Sequence, residues 1–96
     1  MLNMLHFVPI SAKEYITLHM KRNPGENRAL LEKGLKDALA YALAGKKCDC
    51  GNAIWVIGAV QVGYKCFTCI TGETYPDNDY EIDQHIQYVN RTFQKR

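Results

Sequence analysis

All four cysteines of this chain fall within one short stretch, as the pairs Cys48-Asp49-Cys50 and Cys66-Phe67-Thr68-Cys69. Thiolates are soft ligands, and closely spaced pairs brought together from two points of a chain are suited to a single tetrahedral ion. Zinc is the expected metal, because a d¹⁰ ion accepts four sulphurs without a ligand-field preference, and its binding energy can fold a segment that has little core of its own. The predicted ligands are Cys48, Cys50, Cys66 and Cys69. Four thiolates leave no open position for water, so the metal is expected to be structural and not hydrolytic.

A zinc ion with four thiolates carries a net charge of about minus two, which nearby donors and cations would temper. Lys46, Lys47 and Lys65 flank the pairs and suit that role. The same lysines could meet phosphate, with Tyr64 and Phe67 stacking on bases, which defines an alternative nucleic-acid reading. A third reading treats Cys66 and Cys69 as a thiol redox pair, although such a pair normally opens a helix in a βαβ setting. The first cysteine pair has one intervening residue, fewer than the usual spacing of about two to four, and His85 is the replacement ligand if Cys48 stands aside. The acidic run Glu73, Asp77, Asp79, Glu81, Asp83 does not form a calcium loop, since Ile82 and Tyr88 stand where glycine and glutamate are required. It reads as a solvated helix start.

The elements that must position the cysteines follow from periodicity and caps. Residues 1 to 10 read as a short extended segment or an arm ending near Pro9. Ser11-Ala12-Lys13-Glu14 is a capping box that opens a helix to about Arg22. Asn23-Pro24-Gly25-Glu26 restarts the chain, and Leu31, Leu35, Ala38, Leu39 and Ala42 predict a second helix over residues 24 to 44, ended by Gly45. Gly34 within it marks a close approach by a neighbour. Between the cysteine pairs, a turn at Gly58-Ala59 would give a β-hairpin in which Ile57 faces Val60, Trp55 faces Val62 and Ala53 faces Tyr64. Trp55 would then anchor this ribbon against the long helix. Asn78, three residues before Glu81, offers a cap for a closing helix with a stripe of Ile82, Ile86, Val89 and Phe93.

Cys48-x-Cys50-Gly51 followed by Cys66-x-x-Cys69 resembles the zinc ribbons and treble-clef zinc fingers, over residues 48 to 72. In treble clefs the second pair opens a helix, whereas in ribbons it leads into a strand. Thr71-Gly72 and Pro76 favour the ribbon.

A chain of 96 residues, 47% hydrophobic and 23% charged, has the composition of one small globular domain. Its net charge of +2 is too mild to imply nucleic acid by itself. The apolar opening lacks a basic start and a cleavage site, and no stretch reaches the roughly twenty apolar residues of a membrane span. A cytoplasmic setting with reduced thiols is the expectation. The predicted fold class is α+β in a single domain: a helical part over 1–45, a zinc-bound hairpin over 46–76 and a closing helix over 77–96. The expected function is a small zinc-binding protein-interaction or adaptor module that contacts a protein partner or its own copy. The sequence contains no Ser-His-Asp set, nucleotide-binding glycine loop or carboxylate dyad that would define an enzyme.

Overall fold

The computed structural model describes residues 6–94, with side chains to Arg91. The four cysteines do come together in it, but the expected hairpin does not form. Strand β1 (Val8–Ile10) leads into helices α1 (Ala12–Arg22) and α2 (Arg28–Leu43). The cysteine region carries α3 (Val56–Val62) and α4 (Phe67–Thr71), and β2 (Tyr80–Ile82) runs directly into α5 (Asp83–Gln94). The strands form a two-stranded parallel sheet in which Val8 is opposite Tyr80 and Ile10 opposite Ile82. Among the described residues, no helix is long and apolar enough to cross a membrane.

The local signals at α1 hold. Ser11 Oγ accepts from the Glu14 N–H at 3.0 Å, and the Glu14 carboxylate reaches back to the Ser11 N–H at 3.4 Å. The restart at residue 23 comes later than expected. Asn23 closes α1, its backbone and side-chain N–H groups both donating to the His19 carbonyl, and Asn27 caps α2 through the Leu30 N–H. Pro24-Gly25-Glu26 therefore forms the connection, not the first turn of α2. At the far end of α2, Gly45 takes φ +88°, a left-handed conformation that lets the chain leave the helix.

The largest departure lies between residues 52 and 65. The run Ile54-Trp55-Val56-Ile57-Gly58-Ala59-Val60 is apolar with no polar alternation, so its period does not separate strand from buried helix. The surroundings select helix. Val56 and Ala59, three residues apart, are buried in the main core with Leu31, Leu35, Ala38 and Ala42 of α2. A Cβ added at Gly34 would lie 3.6 Å from Val60 Cγ1, an ordinary van der Waals contact, so α3 packs on this side of α2 but the approach is not one that only glycine allows. The ends of this segment still meet: the Trp55 N–H donates to the Lys65 carbonyl at 3.1 Å, holding α3 inside a closed loop.

Trp55 consequently does not anchor a ribbon on α2. It belongs to a second cluster with Phe7, Phe67, Ile86 and Val89, stacked near-parallel on Phe7 and edge-on to Phe67. Its indole N–H donates to the Tyr80 carbonyl at 2.8 Å. The closing helix exists, but it starts at Asp83. Asn78 sits at φ 64° in the preceding turn, while Glu81, expected in solvent, is completely buried. The Phe93 end of the predicted stripe lies outside the described side chains, as Lys95 and Arg96 lie outside the described residues.

Candidate metal centre

The site is built from two backbone turns. After α2 ends, the Cys48 N–H donates to the Asn52 carbonyl and the Gly51 N–H returns to the Cys48 carbonyl. Gly51 takes φ +95°, and the short Lys47–Ala53 bridge closes the turn. The second half comes from α4. Cys66 is its N-cap: its sulphur accepts from the Cys69 N–H at 3.4 Å, and Gly72 ends the helix at φ 83°. The second pair thus opens a helix, which corrects the expected run into a strand. The four cysteines arrive on a turn and a helix start, and a helix fills the place of the expected intervening hairpin.

All four sulphurs lie within 4.8 Å of one another. Cys50 and Cys66 are 3.4 Å apart, and Cys48 and Cys69 are 3.6 Å apart. Zinc–sulphur bonds of about 2.3 Å in a tetrahedron separate neighbouring sulphurs by about 3.8 Å, a value within the range these four sulphurs span, so the donor set is compatible with such an ion. The single-residue spacing of Cys48 and Cys50 does not expel either sulphur, because the Gly51 turn folds the backbone around both.

Hydrogen bonds divide unequally among the sulphurs. Cys66 also receives the Asn52 side-chain amide at 3.8 Å. The Cys50 N–H lowers the Cys48 thiol to about 6, burial opposes this, and the Cys66 N–H assists it. At Cys50 the Asn52 N–H acts downward, but the Cys66 sulphur and burial outweigh it and the net direction is up. Cys69 is pushed up to about 12, first by the Cys48 sulphur and then by those of Cys66 and Cys50. One thiol of the cluster therefore ionises readily, and a cation is required to hold all four as thiolates.

The flanking residues separate into different roles. Lys65 Nζ pairs with Asp49 at 3.3 Å, and the Cys48 and Cys69 sulphurs add to the field that raises its pKa. Lys46 and Lys47 are exposed. Phe67 is buried beneath the site at 1% exposure, so it does not stack on a base, and Tyr64 stacks on Tyr41 with centroids 4.3 Å apart. The cysteines of α4 are not an isolated redox pair, since the other two sulphurs complete the group.

His85 is not a replacement ligand. Its Nδ1 lies 2.8 Å from Glu81 Oε2 in the interior, and since a carboxylate only accepts, Nδ1 carries the proton. The same carboxylate accepts from the Val56 N–H at 2.8 Å, the Ile57 N–H at 3.3 Å and the Ile82 N–H at 3.0 Å. Glu81 is thus the side-chain acceptor for the first turn of α3, whose N-cap, Trp55, has none to offer. Sequence reasoning missed this residue. The available signals were an apolar helix start without a capping side chain and an acid four residues before His85.

No family model matches this chain, and no curated protein or solved structure matches it.

Proposed function

We propose that Cys48, Cys50, Cys66 and Cys69 bind one structural zinc ion and that the domain so closed serves as a protein-interaction or adaptor module. The observation that carries the metal reading is the convergence of four sulphurs, from two turns separated by a helix, to within 4.8 Å. A cluster of this kind has no vacant ligand position, so its contribution is to hold α4 against the turn after α2. The interaction reading is supported by apolar and aromatic side chains left exposed on the domain. Leu30 on α2 and Val62 on α3 are 67% and 64% exposed, and Tyr41 and Tyr64, both exposed, stack on each other. Large apolar and aromatic groups in such positions are the material of recognition surfaces, for a different protein or a second copy.

Native mass spectrometry of the full chain tests both parts, because one spectrum reports metal count and subunit number. One zinc ion per chain, with cooperative unfolding on chelation, is the expected result. A metal-free chain with an unchanged melting profile after zinc addition would refute the metal reading.

A further inference from the structure

Charge divides unevenly along this chain. Residues 73–83 hold the acids Glu73, Asp77, Asp79, Glu81 and Asp83 and no lysine or arginine, whereas basic residues outnumber acids before that segment. The fold uses Glu81 internally, and Asp79 accepts the Asp77 N–H at 3.0 Å. Glu73 and Asp77 stay exposed on either side of Tyr75, which is 57% exposed although its ring stacks on His6 with centroids 5.1 Å apart. The segment is fastened at both ends. Thr68 Oγ1 donates to the Thr74 carbonyl, the Glu73 N–H donates to Thr71 Oγ1, and the Val8 N–H donates to the Asp79 carbonyl at 2.7 Å.

The opposite chemistry lies between α1 and α2. A groove of about 380 Å³ there has an apolar floor of Ile16, Leu35 and Leu39, flanked by Lys13 on α1 and Lys36 on α2. Its volume falls within the roughly 300–1,000 Å³ of small-molecule sites, enough to take an aromatic ring. Arg28 and Glu32, which also line it, neutralise each other at 2.9 Å. Among the described residues, Lys13, Lys36, Glu73 and Asp77 have no ion-pair partner. One chain thus carries two unpaired cations beside an apolar groove and two unpaired anions beside an exposed ring. The lining of the groove contains no residue of its own acidic segment.

We propose that the groove between α1 and α2 binds segment 73–80 of a second copy of this chain, with Tyr75 entering the apolar floor and Glu73 and Asp77 pairing with Lys13 and Lys36. The ring supplies the buried anchor, and the charges select the segment and speed the encounter. Because each copy carries both halves, two copies can make the contact reciprocally. Resting on the interaction reading above, this contact uses residues other than Leu30, Val62, Tyr41 and Tyr64.

Sedimentation velocity of the full chain from about 10 μM to about 1 mM should show reversible dimers. They should weaken as salt rises from about 0.1 M to about 1 M, over which the screening length falls from about 10 Å to about 3 Å. A Lys13→Glu, Lys36→Glu chain and a Glu73→Lys, Asp77→Lys chain should each dimerise at least about tenfold more weakly, since like charges then face each other. Mixed in equal amounts, these two variants should restore the dimer, because each supplies the charges that the other lacks. Tyr75→Ala should weaken it by about tenfold. A Lys21→Glu, Lys46→Glu chain, with the same change in net charge at exposed positions outside the groove, should dimerise like the native chain. All these positions are exposed, so Trp55 emission should match the native chain in every variant. A chain that stays monomeric over the whole range overturns the self-association and leaves a different protein as the partner in the adaptor reading. Dimers that survive the charge swaps, or swapped chains that fail to restore each other, overturn this groove and segment as the contact while the adaptor reading stands through another face.

Discussion

Replacing Glu81 with glutamine removes one acceptor oxygen while keeping the shape of the side chain. In the native structure Oε2 serves the Val56 N–H and His85 Nδ1, while Oε1 serves the N–H groups of Ile57 and Ile82. If the amide nitrogen of glutamine takes the Oε1 position, it confronts two backbone donors with donors of its own. If it takes the Oε2 position, His85 can move its proton to Nε2 and accept, but the Val56 N–H is still orphaned. One or two buried N–H groups then lose their partner at about 1–3 kcal/mol each, so the expected loss is about 1–6 kcal/mol. That is a large part of the roughly 5–15 kcal/mol available to a domain of this kind. The assay is urea unfolding of the zinc-loaded chain, followed through Trp55, its single tryptophan, which packs on Phe7 and Phe67. Exposed Glu73, changed to glutamine, is the control and should shift stability by less than about 0.5 kcal/mol. A Glu81→Gln protein with the same midpoint as that control would refute the assignment of Glu81 as the keystone between α3 and α5.

Three further outcomes follow from the geometry. Gly58→Ala gains up to about 1 kcal/mol of helix propensity but places its Cβ against the Trp55 ring, and 2.8 Å from Ile70 Cδ1. The overpacking, about 1–3 kcal/mol, should win, and thermal melting with a change in Trp55 emission measures it. Leu35→Ala, at a site 2% exposed in the main core, should cost about 2–5 kcal/mol in the same urea assay. Zinc binding to a folded metal-free chain at neutral pH should release fewer than four protons per ion, because Cys48, drawn down to about 6, is already a thiolate. Its folded value lies below the unfolded thiol value of about 8.5, so its stabilising contribution is complete above that pH and is lost as pH falls through about 6. Calorimetry in two buffers of different ionisation enthalpy counts the protons, and a count near four would mean that the site forms only as the chain folds around the ion.

The parts legible in the sequence were those whose physics is local. Ser11 and Glu14 cap each other three residues apart, Gly45 leaves α2 in the left-handed region, and the four cysteines that cluster lie within 22 residues of chain, from Cys48 to Cys69. Segment 54–60 was not legible because an unbroken apolar run satisfies a hairpin register and a buried helix equally well. What distinguishes them is a carboxylate that arrives from residue 81, far along the chain, to accept the first N–H groups of α3. The same nonlocality hid Glu81 itself, which among Asp77, Asp79 and Asp83 reads as one more solvated acid. It also misplaced Trp55, whose partners Phe7 and Phe67 come from opposite sides of it in the sequence.

The Trp55–Lys65 backbone bond has a consequence for how this architecture can vary. It gathers the two ends of the segment that carries α3, so the cysteine cluster senses where that segment begins and ends and not how long it is. Doubling a flexible loop costs only about 0.6 kcal/mol, and the corner at Gly63 is exposed. Chains of this build should therefore differ freely in the number of residues between their second and third cysteines, while keeping an acid placed to meet the opening turn of the enclosed helix.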